Sequence, residues 1–278
     1  MKNAMQLKAL IKKIAKEKQI SAQVVMQNYM FERLLERISL SSYCPNFILK
    51  GGLLIASMVG IQSRATMDMD ATIRNFPVNE DSIQNMFMEI TEIPLNDDVN
   101  FTLGKISRIR EGDEYDGYRV SLTANFLPMR IPLKLDVTTG DKITPSAIKY
   151  EYPLMFESRF LNIWSYNMET ILAEKLETII SRGDQNTRLR DYYDTFILYT
   201  LKNSQLDAPL LHESLIATSK KRQSYEIMSN HREIIDQIKN NRIMQGYWNL
   251  YQKDYEYARG IDFIAICEVI EKILGQVI

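Results

Sequence analysis

Histidine and cysteine are nearly missing from this chain of 278 residues, which has two of each. Cys44 and Cys267 lie far apart and in no metal-type spacing, so neither a disulfide framework nor a cysteine metal site is implied. Free thiols in a reducing cytoplasm are the expectation. His212 and His231 are the only histidines, which disfavours histidine-based catalysis and a histidine-ligated metal. Long apolar runs are absent too. None approaches the roughly 20 residues that cross a bilayer, and none follows the first lysines, so no membrane span and no secretory leader are expected. Charge of one sign is also lacking. A formal net charge of −1 carries no global signal for nucleic acid. Internal repeats and low-complexity linkers do not occur, which excludes solenoids and arrays.

What is present is the composition of a globular protein. Hydrophobic residues make up 45% and charged residues 25%, enough for one large domain or two modest ones. The charge is unevenly spread. Residues 1–40 hold Lys2, Lys8, Lys12, Lys13, Lys16, Lys18, Arg33 and Arg37 against Glu17, Glu32 and Glu36. Such a patch can meet nucleic acid or be an ordinary solvated helix face.

Periodicity divides the chain. Residues 4–19 read as a basic amphipathic helix. Residues 21–39 read as a second helix, with Ser21 as its N-cap and Val24, Phe31, Leu35 and Ile38 at helical spacing. After the break SSYCPN, a short strand is expected at Phe47–Lys50, then a Gly51-Gly52 turn and a helix over 53–59. Residues 66–73 alternate, with Met67, Met69, Ala71 and Ile73 on one side and Thr66, Asp68, Asp70 and Thr72 on the other. A helix suits 79–91. Strands suit 101–108 and 118–126, joined by the acidic turn EGDEYDG. In RIPLKLDVTTGD, Ile131, Leu133, Leu135 and Val137 oppose Arg130, Lys134 and Asp136, and the Thr-Thr-Gly-Asp end signals a turn. Beyond about residue 165 helical periodicity dominates. The reading is an α+β protein: an α/β core over 1–160 and a helical domain over 161–278.

Acidic residues on strands carry the chemistry. Asp68 and Asp70, one residue apart on a strand, point the same way. Asp136 sits on the polar face of another strand. Acids are depleted in strands, and three carboxylates of this kind suit a hard divalent cation that serves phosphate chemistry. A Gly51-Gly52 turn opening a helix lets backbone amides approach phosphate, and it also serves as an ordinary tight turn. Lys50 beside it either assists with charge or is solvated. Lys175 lies inside the stripe Ile171, Leu172, Leu176, Ile179, Ile180. It either meets a phosphate or carboxylate there or snorkels to water. Asp194 shares a helix face with Arg190, Ile197 and Leu198, so it points inward, as a general base or as the partner of Lys175. The aromatic run YWNLYQKDYEY at 247–257 could stack bases, but its interleaved acids favour helix packing.

Taken in order, Lys50-Gly51-Gly52, Arg64-x-Thr66-x-Asp68-x-Asp70, Asp136, Ala173-Glu174-Lys175-Leu176 and Arg188-x-Arg190-Asp191-x-x-Asp194 resemble the AbiEii/AbiGii family of nucleotidyltransferase-like toxins, within the DNA polymerase β-type superfamily. The combination is far more specific than any one motif. The resemblance implies a minimal nucleotidyltransferase core, a small mixed sheet flanked by helices, with a helical C-terminal domain. It implies a cytoplasmic toxin of a type IV toxin–antitoxin or abortive-infection system that moves a nucleotide from an NTP to an RNA acceptor such as tRNA, with Mg2+. It also implies a cognate DNA-binding antitoxin as partner and no membrane. Metal falls to Asp68, Asp70 and Asp136. Catalysis falls to those three with Lys175 and Asp194. Nucleotide binding falls to Lys50, Gly51, Gly52, Arg64, Thr66, Lys175 and Arg190. The superfamily turn is Gly-Ser, whereas Leu53 follows Gly52 here, so a phosphate-holding hydroxyl is lost. The competing readings are a nucleotide-binding regulatory module without transfer, and transfer to a protein or small molecule.

Overall fold

The computed structural model of the protein describes residues 4–109 and 117–278. The expected acidic turn therefore lies, as far as Asp116, outside the described residues. The chain forms two compact units. One runs to Asp141 and takes in Ile148–Ser165; the other comprises Lys142–Ala147 and Tyr166–Ile278.

The first unit is built on a mixed sheet of seven strands among the described residues. These are β1 (Phe47–Lys50), β2 (Met69–Ile73), β3 (Asn100–Ile109), β4 (Gly117–Phe126), β5 (Met129–Thr139), β6 (Ile148–Pro153) and β7 (Phe160–Ser165). Their order across the sheet is β3-β4-β5-β2-β1-β7-β6. The pairs β1/β7 and β2/β5 are parallel and the rest antiparallel. Alternation sets the faces: Leu133, Leu135 and Val137 of β5 are buried, while Lys134 between them is exposed. Strands β6 and β7 had no reading in the sequence; each is only six residues long.

Among the described residues, four helices accompany this sheet. α1 (Ala4–Lys18) buries Leu7, Ile11 and Ala15, one face at helical spacing. α2 (Ala22–Leu40) starts where the Ser21 hydroxyl accepts the Val24 amide, as expected from sequence. α3 (Gly51–Val59) includes both glycines as its first residues. α4 (Glu80–Glu92) opens with a reciprocal capping box between Asn79 and Ser82.

Two expectations need correction. The alternating strand begins at Met69, not residue 66, and Met67 is 38% exposed rather than on the buried side. Residues 64–68 form an irregular approach to β2, anchored by α2 side chains. Asn28 Nδ2 donates to the Thr66 carbonyl at 2.8 Å, and Gln27 Nε2 to the Met67 carbonyl at 3.1 Å. The basic patch is also smaller than its sequence count. Arg33 pairs with Glu36 and Glu157 at 3.1 Å, and Arg37 with Asp97 at 2.8 Å, both arginines being buried. Lys8, Lys12, Lys13 and Lys16 of α1 remain exposed.

The second unit is helical. It contains α5 (Met168–Arg182), α6 (Leu189–Lys202), α7 (Ala208–Lys221), the single turn α8 (Tyr225–Met228), α9 (His231–Asn240), α10 (Arg242–Asp254) and α11 (Phe263–Val277). Asn167, Asp207, Asn241 and Asp262 cap α5, α7, α10 and α11 through their side chains, each cap supplying an acceptor to otherwise orphaned amides. In the aromatic run at 247–257, Trp248 is buried while Tyr247 is exposed. Tyr257 lies 4.7 Å from Tyr193 by ring centroids, and Trp248 stacks on Tyr251 at 5.2 Å. No helix among the described residues is long and apolar enough to cross a membrane.

Candidate functional site

Strand pairing brings two of the predicted acids side by side. In the parallel pair β2/β5, Asp70 is in register with Asp136, and Lys50 of β1 is in register with Asp70 on its other side. Neighbouring strands lie about 4.8 Å apart, so Lys50, Asp70 and Asp136 form a row across the sheet. Asp68 precedes β2, and its charge acts on Asp70.

Asp70 is the electrostatic centre. Burial pushes its carboxyl above the usual carboxylate range. The Lys50 charge opposes that rise, Asp136 and Asp68 add to it, and a hydrogen bond from the Gly52 amide pulls back. That amide belongs to the first turn of α3. The Asp70 carboxylate thus meets the positive end of the helix dipole and accepts from an otherwise orphaned donor. This explains the glycine pair. Gly51 has φ +68°, and a Cβ there would lie 2.7 Å from Asp70 Cγ. A Cβ on Gly52 would lie 2.8 Å from the Thr66 hydroxyl and 3.0 Å from Arg64 Nη2. The close approach that these glycines permit is therefore to Asp70, Thr66 and Arg64. The Thr66 hydroxyl packs against Gly52 and donates to the Asp68 carbonyl at 3.3 Å. Leu53 itself is fully buried.

Lys50 is neither solvated nor open. Its Nζ lies 2.6 Å from Asp141 and 2.8 Å from the Thr138 hydroxyl. Asp141 also accepts from Thr72, and from Thr138 at 2.7 Å. Burial opposes the Asp141 charge, but Lys50 and the hydrogen bonds from Lys50, Thr72 and Thr138 hold its carboxyl down to about 2. Sequence reading took Asp141 only as part of a turn. Its partners come from three strands, so no local pattern reveals it.

Asp136 is also occupied. Arg119 of β4 faces it across the antiparallel β4/β5 pair. Its Nε donates to Oδ1 at 2.8 Å and its Nη2 to Oδ2 at 2.7 Å, a two-pronged grip. Arg119 was missed, although the register of a β4/β5 hairpin would have placed it opposite. Among the described residues no group of three or more His, Cys, Asp or Glu side chains stands ready to hold a metal ion. The expected third ligand is spent on arginine. The donor set nonetheless fits a divalent cation in kind. Three hard carboxylates repel one another here, and a cation would relieve the elevation of Asp70.

The later motif residues lie in the second unit. Lys175 Nζ sits 2.8 Å from Asp194 and 3.0 Å from Asp191. The Asp194 side chain is 1% exposed and that of Lys175 13%. Arg188 approaches the other oxygen of Asp191 at 3.4 Å. The inward Asp194 is thus a direct partner of Lys175. Arg190 donates to the Tyr255 hydroxyl at 3.0 Å, with its guanidinium 5.6 Å over that ring.

A seven-stranded mixed sheet flanked by helices is a fold shared with nucleotidyltransferase-like proteins. A candidate nucleotidyltransferase from H. pylori is similar in structure, with a TM-score of 0.51 and 15% identity over 93% of this chain and 99% of that one. JHP933 from Helicobacter pylori is similar too, with a TM-score of 0.50 and 16% identity over 92% of this chain and 95% of its own. At such identities the likeness shows the fold alone. No curated protein matches the sequence. The family model "Nucleotidyl transferase AbiEii toxin, Type IV TA system" matches residues 33–269, and the chain belongs to that family. It is accordingly a nucleotidyltransferase of the toxin class, and membership implies an NTP substrate and an antitoxin partner.

Proposed function

We propose that the protein transfers a nucleotide from an NTP to an RNA acceptor, tRNA being the candidate, with Mg2+ held by Asp68, Asp70 and Asp136. The observation that carries this reading is the register of Asp70 with Asp136, against the glycine-led N-terminus of α3. A cation held there would neutralise triphosphate charge and make the acceptor hydroxyl easier to ionise.

The chain's own residues divide the remaining work. Gly51 and Gly52 allow the helix terminus and the carboxylates to share one small space, while Arg64 and Thr66 wall it beneath. Lys50, tied to Asp141, sets the electrostatic level of Asp70 rather than reaching for phosphate. In the second unit, Lys175 is the cation that the family resemblance gives to nucleotide binding, and Asp194, 2.8 Å from it, orients it. Arg190 braces α6 against Tyr255. The exposed lysines of α1 are the electrostatic surface for the RNA backbone. A cytoplasmic setting and a DNA-binding antitoxin complete the reading.

The test is incubation of the protein with each labelled nucleoside triphosphate, total RNA and Mg2+, followed by asking what becomes labelled. Label in RNA from the wild type, lost in Asp70→Asn with the fold retained by circular dichroism, is expected. Label on protein or a small molecule, or none, overturns the RNA assignment. Undiminished labelling by Asp70→Asn overturns the site.

A further inference from the structure

Arg119, like Asp141, belongs to the acidic site without a motif to announce it, and its contacts are specific. It approaches Asp136 with the Nε/Nη2 edge of the guanidinium, so both carboxylate oxygens are satisfied at once. The charges of Asp68 and Asp70 act on the same guanidinium. Arg119 therefore feels all three acids proposed above as the cation site. Its side chain is 46% exposed, so it can leave without breaking the core. Strand pairing fixes the Arg119 backbone opposite Asp136, so the side chain swings from a point beside the acids.

We propose that Arg119 is a resident counter-cation which the incoming metal–triphosphate displaces, and that the freed guanidinium then takes a triphosphate oxygen. The exchange is balanced in charge. The metal replaces arginine on Asp136, and phosphate replaces Asp136 on arginine. A planar fork that fits a carboxylate also fits a phosphate. Metal alone completes only half of the exchange, because it strands the guanidinium. Nucleotide alone completes only the other half. Arg119 thus couples the two ligands and disfavours either one bound singly. The inference rests on the cation site proposed above and adds a positioning and specificity residue to it.

The test is calorimetric, on the full chain. Mn2+ is titrated alone, and each of the four α,β-methylene nucleoside triphosphates is titrated with and without Mn2+. The proteins are wild type, Arg119→Ala, Arg119→Lys and Asp70→Asn. Arg119→Ala should bind Mn2+ alone roughly fivefold more tightly than wild type, the worth of one well-formed exposed ion pair. It should bind the analogue less tightly, and the mutual enhancement of metal and analogue should fall by a similar factor. Arg119→Lys, which keeps the charge without the fork, should lie between. Equal or weaker Mn2+ binding by Arg119→Ala, while Asp70→Asn loses it, overturns the exchange and leaves the cation site standing. Mn2+ binding unaffected in Asp70→Asn overturns both.

Discussion

Gly51 and Asp70 are in closer contact than any side chain at position 51 would permit, since a Cβ there would overlap the Asp70 carboxyl group and the backbone holds φ at +68°. Two penalties therefore fall on one substitution. Gly51→Ala should destabilise the protein by about 1–3 kcal/mol from backbone strain and overpacking. Transfer should fall further than stability does, because Asp70 must move. Urea denaturation and a labelling assay on the same preparation check this. A variant as stable and active as wild type would show that the contact is dispensable.

Lys175 lies between two carboxylates, one of them fully enclosed. Lys175→Ala removes the buried cation shared by Asp191 and Asp194, and should cost about 3–5 kcal/mol. Asp194→Asn keeps a hydrogen-bond acceptor for the lysine and should retain measurable transfer, as befits an orienting partner. Near-complete loss of transfer in a folded Asp194→Asn protein would make the aspartate a base instead. Single-turnover rates measured beside circular dichroism separate the outcomes.

Glu32 of α2 is buried, and that burial raises its carboxyl from 4.5 to about 8, against the pull of the Met155 amide and Arg33. The folded protein thus holds a proton that the unfolded chain releases. Stability from this group is complete below about pH 4.5 and is lost as pH rises through about 8. Glu32→Gln keeps the acceptor for the Met155 amide at 2.9 Å. It should flatten this decline and be the more stable protein at pH 8. Denaturant midpoints at several pH values give the comparison, and parallel curves for the two proteins would refute it.

Asp141 has the opposite sign. Its carboxyl is held at about 2, below 3.8, so its contribution is present above pH 3.8 and disappears as pH falls toward 2. Asp141→Asn should be less stable than wild type near neutrality, and the difference should shrink in that acid window. The substitution also releases Lys50 from its ion pair, so the titration of Asp70, followed by carboxyl-carbon NMR, should shift. No shift would separate Lys50 from the acidic site.

Much of the first unit was legible because local chemistry wrote it. Ser21 satisfies the Val24 amide three residues away, and the alternation in β5 needs only its own side chains. What sequence reading missed has partners distant in the chain. Asp141 gains its meaning from Lys50 and Thr72, and Asn28 from the carbonyl of Thr66. Arg33 and Arg37 counted toward a basic surface until Glu157 and Asp97 neutralised them.

The sequence by itself determined which side chains could do this chemistry: Asp68, Asp70 and Asp136 as hard ligands, two glycines ahead of a helix, and a lysine inside an apolar stripe. Those are properties of residue type and spacing, which a period of two or of 3.6 residues converts into faces. Tertiary structure alone decided how the charges are partnered. Sheet register set Asp70 beside Asp136 and Arg119 opposite it, and chain folding brought Asp141 to Lys50. Coulombic interaction depends on distance and burial rather than on separation along the chain, so only the folded protein assigns each carboxylate its cation.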